Sequence, residues 1–495
     1  MVQGYKTLIN NYFKKHSFVE SNIKSFDNFI EKGMQQIVDE ASEIIPTIIP
    51  SGAKDFKIKF GKIEVGKPEL TEADGSKRDI FPIEARLRKL TYSAPIYMDV
   101  KAYFDGVERE SFTTKVGKIP IMLKSKHCHL SGLSRESLIQ QGEDPDDPGG
   151  YFILNGNERV LIIVEDLASN RLFVEKTKTG PSKYVARLFS EKGSYRVPHS
   201  IEQMRDGTIY LSFTRFKRVP VIPIIKALGL FKDQDIVQAI SQEKQYDSIF
   251  INLYQNVELK SHDDAVEFLA KRFGVTQIKE QKVDKTFEII DRFLLPHLGT
   301  TPNDRLAKAH NLCRYIKSFL TVAQGSANVI DKDHYSNKRL KLSGDLLTDL
   351  FRVNLRALIQ DMLYNFQRLV KRGKFQSIKI IIRDQLLTSR IKSAMATGVW
   401  VGNRKGISQN IDRTDFLATY SHLQRVVSLL SSSQENFEAR ALHGTHLGRL
   451  CPIETPEGSV IGLRKNLSLL CNITQEEVAE DKVKKSLEAL GLKPV

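Results

Sequence analysis

Four cysteines in 495 residues, at 128, 313, 451 and 471, are too few and too scattered for a disulfide framework, and no Cys-x-x-Cys pair with zinc-finger spacing occurs. A reducing compartment fits. No apolar run approaches the ~18 residues that a membrane-crossing helix requires; the longest, such as VLIIV at 160–164, have the length of strands. The N-terminal MVQGYKTLINNYFKKHSFVES places charged and polar residues where a signal peptide needs an uninterrupted apolar core. A cytoplasmic protein without a membrane partner is therefore expected. Neither GxxxxGK[ST] nor GxSxG occurs, which leaves a phosphate-cradling loop and a hydrolase nucleophile elbow without support.

What the chain does have is length and positive charge. Its length allows two to four domains of ~100–200 residues, each with a core. Lys and Arg number 74 against 59 Asp and Glu, a net +15 that points to a polyanionic partner, nucleic acid before a membrane surface. The charge is uneven: residues 331–425 hold 18 Lys and Arg, 8 Asp and no Glu, so +10 of the +15 lies there. A charge run is usually a solvated face; here the basic residues are mixed with helix and turn signals instead of forming a disordered tail, which puts a binding face on an equal footing.

The first ~50 residues read as helical, with Phe29, Ile30, Met34 and Ile37 at three- and four-residue steps and Pro46 as a stop. FKIKFGKIEV (56–65), LTYSAPIYMDVKAYF (90–104) and SFTTKVGKIPIML (111–123) alternate apolar and polar residues, as a sheet with one buried face does. EDPDDPGG (143–150) is a loop by composition, and Asn155-Gly156 between apolar runs predicts a hairpin, since both central residues of a type I′ turn need φ > 0. From Lys183 to about Asn328, strand patterns (YVARLFS, TIYLSFTRF) precede short helical ones, which suggests an inserted or second domain. LLTDLFRVNLRALIQDMLYNFQRLV (346–370) carries a helical stripe that stops at Gly373, and RTDFLATYSHLQRVVSLL (413–430) predicts a second helix capped by Thr414.

The densest chemistry is CPIETPEG (451–458), just after HGTH (443–446). His443, His446 and Cys451 offer metal donors, but the histidines are three apart, not four, and the intervening Gly and Thr indicate a turn, so a metal site is disfavoured. Pro456 biases Thr455 to extended backbone, which sends Glu454 and Glu457 to opposite faces and argues against a shared-proton dyad. Gly448, Gly458 and Gly462 with Pro452 and Pro456 make the run stiff but sharply bent, with Arg449, Glu454, Glu457 and Lys465 as its exposed candidates. HCH at 127–129 reads as histidines around an inert thiol, Cys128.

HGTHLGRLCPIETPEGSVIGLRKNLSLL resembles the fork region of the second-largest, beta-type subunit of multisubunit DNA-directed RNA polymerases. KIPIMLKSKHCHL (118–130), GYFILNGNERVLIIVEDLASNRLFV (150–174), DKDHYSNKRLKLSGDLLTDLF (331–351) and GISQNIDRTDFLATYSHLQRV (406–426) resemble other parts of that family in the same order. The resemblance spans essentially the whole chain and is closer to archaeal and eukaryotic versions than to bacterial ones.

It implies a multidomain α+β fold: a mixed helix/sheet protrusion (1–165 and 331–405), an inserted lobe (166–330) and a fork (406–495). GNRKG (402–406) would be the first fork loop, beside the upstream end of the hybrid, and SSSQENFEA (431–439) the second, beside the downstream fork of the bubble. Arg449, Glu454 and Glu457 would support the nucleotide-addition site, while Lys338, Arg339, Arg404, Lys405, Arg425 and Lys465 would contact nucleic acid. Family members usually continue for several hundred residues past TPEG, so a stop at Val495 suggests the N-terminal product of a split gene. The C-terminal half, the largest subunit and other subunits, the DNA template and the RNA–DNA hybrid are then the expected partners. No DFDGD-type cluster is present, so magnesium is expected on the largest subunit, no cofactor on this chain, and no catalysis from this chain alone. The competing readings are a free-standing, non-catalytic nucleic-acid-binding or scaffold protein with a polymerase-like body, and a metalloenzyme built on His443, His446 and Cys451.

Overall fold

The computed structural model describes residues 2–41, 43–46, 48–49, 55–177, 182–193, 195–241, 247–259, 261–276, 279–373, 377–474 and 480–491; Val495, the expected stop, lies outside them. The chain divides into two compact units, one of residues 1–166 and 340–495, the other continuous over 167–339. Helices and sheets occur in both, as the α+β class requires.

In the first unit, alternation makes the main sheet: Phe56–Val65, Ser93–Phe104 and Val107–Pro120 pair antiparallel, with Glu43–Ile44 at the edge. Its apolar face meets the long helix Ser343–Lys371, where Phe366 stacks on Phe56 at 4.7 Å between ring centroids. The helical stripe of 346–370 is buried at Leu347, Leu350, Phe351, Leu355, Leu358, Met362 and Phe366. The Asn155-Gly156 hairpin forms as its sequence demands, with φ of 52° and 78° between paired strands Phe152–Leu154 and Asn157–Leu161. Gly156 has a second reason to be glycine, because a Cβ there would lie 2.8 Å from Lys89 Cα.

The expected helix over 413–430 is corrected. It spans Phe416–Leu423, capped by Asp415, whose carboxylate accepts from Ala418 N–H at 2.6 Å, instead of by Thr414. Arg425–Ser428 is a strand, parallel to Ile163–Leu167 and antiparallel to Arg464–Asn466. The β-branched pair Val426-Val427 suits a pleated surface, and these two partners on either side outweigh the helical period.

The second unit begins with a five-stranded antiparallel meander: Leu172–Lys176, Tyr184–Lys192, Tyr195–Gln203, Ile209–Phe213 and Phe216–Pro220. The helices Val221–Ala227, Asp233–Ile240, Asp247–Tyr254, His262–Phe273, Lys279–Phe293 and Arg305–Ala323 follow. Gly274 ends the fourth at φ 71°, a left-handed conformation that glycine adopts without strain. His199 is buried within this unit; its Nε2 accepts from Leu295 N–H at 3.1 Å, its Nδ1–H donates to Val197 O at 3.0 Å, and burial pushes its imidazole down to about 4.

Candidate nucleic-acid interface

The segment around CPIETPEG is held by the sheet that contains Ile163–Leu167, Arg425–Ser428 and Arg464–Asn466. Residues 449–451 run antiparallel to 466–468: Cys451 N–H donates to Asn466 O and Ser468 N–H to Arg449 O, both at 2.9 Å. Within the bend, Thr455 Oγ1 donates to Arg464 O and accepts from Gly462 N–H, each at 2.9 Å. One hydroxyl thus ties the rising and falling arms together. A Cβ on Gly462, whose φ is 71°, would lie 2.2 Å from Arg440 O, so this close backbone approach requires glycine.

The two carboxylates differ in what holds them. Glu454 Oε1 accepts from Ser421 Oγ at 2.5 Å and from Asn466 Nδ2, which fastens the bend to the helix Phe416–Leu423 and to the strand Arg464–Asn466. Glu457 is exposed at the start of the short 3-10 turn Gly458–Val460. Arg449 is exposed and donates to Thr445 O at 3.1 Å.

Lys465 requires a correction. It is not an exposed contact: its side chain is 8% exposed and its Nζ lies 2.9 and 3.1 Å from the two oxygens of Glu165, itself 3% exposed. The pair reaches across the middle strand Arg425–Ser428. A cation so committed to an internal carboxylate is unavailable to a phosphate.

The other basic candidates fall into two groups. Lys338, with a side chain 8% exposed, lies 3.4 Å from Asp333; Arg404 donates to Asp166 at 3.1 Å; Arg425 is half-buried, and burial beside Arg464 lowers its guanidinium from its ordinary value. Arg339 and Lys405 are exposed. The loop carrying Arg404 and Lys405 is a tight turn, with Gly402 and Asn403 at φ 75° and 57° and Trp400 N–H donating to Arg404 O at 2.8 Å.

Sequence reasoning missed three arginines. Arg413 Nε donates to Glu158 at 2.7 Å and its Nη2 to Asp147 at 2.9 Å, while Arg86 donates to Glu158, Glu143 and Tyr151 at 2.7–2.9 Å. This network anchors the segment entering the helix Phe416–Leu423 to the hairpin and the 143–150 loop. Arg440 donates to four main-chain carbonyls. None of the three leaves a motif, because the partners are distant carboxylates or anonymous backbone oxygens.

His443 Nδ1 lies 2.7 Å from Thr445 Oγ1, and His446 is buried. Among the described residues no group of three or more His, Cys, Asp or Glu could hold a metal ion, and no helix is long and apolar enough to cross a membrane. Cys128 is buried beside Tyr92, whose hydroxyl donates to Sγ at 3.5 Å; burial raises the thiol above its ordinary value and keeps it inert.

The chain is a multidomain α+β protein that presents a braced, charged bend at its surface. Residues 17–389 match the family described as RNA polymerase beta subunit, and residues 409–473 match RNA polymerase Rpb2, domain 3. The chain belongs to the RNA polymerase beta subunit family, as the fork motif indicates. It is 43% identical to DNA-directed RNA polymerase subunit Rpo2N of Methanocaldococcus jannaschii, covering 98% of this chain and 99% of that one. The corresponding subunit of Halobacterium salinarum is 39% identical over 99% of this chain and 96% of its own length. Subunit Rpo2 of Saccharolobus shibatae is 43% identical over 99% of this chain but only 43% of its own length, so the chain spans less than half of that relative.

Proposed function

We propose that the chain is a subunit of a DNA-dependent RNA polymerase, forms one side of the cleft that holds DNA and the RNA–DNA hybrid, and supports template-directed RNA synthesis from ribonucleoside triphosphates. The observation that carries the reading is the correspondence, over 98% of this chain and 99% of its own length, with the Methanocaldococcus jannaschii chain named DNA-directed RNA polymerase subunit Rpo2N. The assembled complex is the nucleotidyltransferase; the isolated chain is inactive. Relatives of matching length that carry the polymerase name do not favour a free-standing scaffold.

In this reading residues 1–165 and 331–405 form the protrusion, 166–330 the lobe and 406–495 the fork. Arg339 and Lys405 hold phosphates of DNA or hybrid, which positions nucleic acid without reading its sequence, and Arg404, Arg425 and Lys338 are the further candidates. Arg449, Glu454 and Glu457 lie near the nucleotide-addition site: Glu454 braces the bend, and Glu457 and Arg449 face the reacting partners. The magnesium that stabilises attacking and leaving oxygens sits on the largest subunit.

The further partner is a C-terminal half of the same subunit; the Saccharolobus shibatae relative is more than twice as long as the stretch it shares with this chain. Leu442, Leu447, Ile453, Leu469 and Leu470 are exposed around the bend, Ile453 at 85%, and apolar side chains this concentrated suit a protein interface. The complex works in the cytoplasm. Co-expression with a C-terminal half and the largest subunit, followed by a primed RNA extension assay on a DNA template, tests the reading. Extension that requires this chain is expected; extension indifferent to its omission overturns the assignment.

A further inference from the structure

We propose that Arg440 is a positioning residue that makes the loop 431–434 and the turn after Glu457 one moving part, so that whatever occupies the loop sets the placement of Glu457. The inference rests on the polymerase reading above. Arg440 closes the short helix Phe437–Arg440, whose start is capped by Asn436 Oδ1 accepting from Ala439 N–H at 3.3 Å. From there one guanidinium serves two loops. Its Nη2 donates to Ser432 O and Gln434 O at 3.0 and 3.3 Å, and its Nη1 to Ser459 O and Ile461 O at 2.7 and 3.0 Å.

The backbone reinforces the side chain. Gly462 packs its Cα against Arg440 so closely that a Cβ would meet Arg440 O, Cα and C at 2.2–2.7 Å. The segment 459–462 is therefore held by Arg440 twice, its guanidinium on Ser459 O and Ile461 O and its main chain against Gly462. Glu457 is the residue immediately before the turn Gly458–Val460. A displacement of Ser432 or Gln434 pulls the fork of donors, and the same rigid plane pulls Ser459 and Ile461.

Only a planar guanidinium can serve two carbonyl pairs at once, because its nitrogens diverge in fixed directions; the single nitrogen of an ammonium cannot span them. Arg440→Lys keeps charge and length and removes the coupling. The loop's own contribution is removed by deleting residues 432–434, which takes away two of the four carbonyls.

The test uses the assembled polymerase on a preformed primer–template scaffold, with single-nucleotide addition measured over a range of nucleoside triphosphate concentrations. Arg440→Lys is expected to slow addition roughly tenfold or more, as small misplacements of positioning groups do. Apparent triphosphate affinity, subunit assembly and DNA retention should stay unchanged. Combining Arg440→Lys with the deletion should slow addition no further than the more severe single change. An Arg440→Lys enzyme with the parental rate overturns the inference, as do effects of the two changes that multiply independently. A variant that fails to assemble also overturns it, since Arg440 is then a fold staple. A parental complex that makes no RNA instead overturns the polymerase reading itself.

Discussion

Lys465 and Glu165 stand 300 residues apart in sequence and close a buried ion pair across the strand between them, Nζ lying 2.9 and 3.1 Å from the carboxylate oxygens. Their strands flank Arg425–Ser428, so the pair works as a rivet through the sheet that carries the bend. Lys465→Met removes the cation that compensates a buried carboxylate and should cost about 3–5 kcal/mol in chemical denaturation of the chain. Adding Glu165→Leu should recover much of that loss. A Lys465→Met chain of parental stability would rule out the rivet.

Glu454 and Glu457 should separate stability from activity. Glu454→Ala strips an acceptor from Ser421 and Asn466 and should lower stability by about 1 kcal/mol. Glu457→Ala, at an exposed position, should leave stability within about 0.5 kcal/mol. In the assembled enzyme it is Glu457→Ala that should impair elongation with assembly intact; normal elongation by that variant counts against its supporting role.

Nucleic-acid retention should depend on the exposed basic residues and on salt. Reversing charge at Arg339 and Lys405 together should weaken DNA retention by the polymerase uniformly across sequences. It should also reduce the slope of log affinity against log salt by about one per lost phosphate contact. Unchanged retention at moderate salt would remove these residues from the interface. Lys465 does not belong in that series, because its loss acts through folding.

Acid should loosen the C-terminal part of the first unit through His422. Its Nδ1 accepts from Asp412 N–H at 3.0 Å and its Nε2–H donates to Gln409 Oε1 at 3.1 Å, a pattern that requires the neutral ring. Burial first, then the charge of Arg425, pushes its imidazole from 6.5 down to about 4. The unfolded chain therefore takes up a proton before the folded one, so this contribution is complete above pH 6.5 and is lost as pH falls towards 4, by roughly 3 kcal/mol at most. His422→Gln should flatten the stability difference between pH 7 and pH 4.5; an unaltered difference would place the acid sensitivity elsewhere.

What the sequence made legible was local. Asn155-Gly156 announced its hairpin because two positive φ angles are needed within two residues, and the stripe from Leu347 to Phe366 announced its helix because its period is uninterrupted. The fork motif was equally plain, as an ordered run of residues. The failures share a different cause. Val426 and Val427 continue the apolar pattern of the preceding helix, and only strands at 163–167 and 464–466 decide that they extend. Lys465 looks like any surface lysine until Glu165 is brought beside it. Arg440 and Arg413 bind groups that no spacing rule can mark.

The parallel pairing of Ile163–Leu167 with Arg425–Ser428 also sets a timetable for synthesis. At a ribosome rate of ~5–20 residues per second, the 300 residues between Glu165 and Lys465 take roughly 15–60 s to emerge. Residues 167–339, contiguous in sequence, are complete before that interval ends and can fold while the ribosome is still working. Ile163, Val164 and Glu165, all buried in the finished protein, pair with a strand that is made some 260 residues later. The nascent chain is thus most in need of protection at a segment far from its growing end, and a pause or truncation before residue 425 leaves that segment without its parallel partner strand.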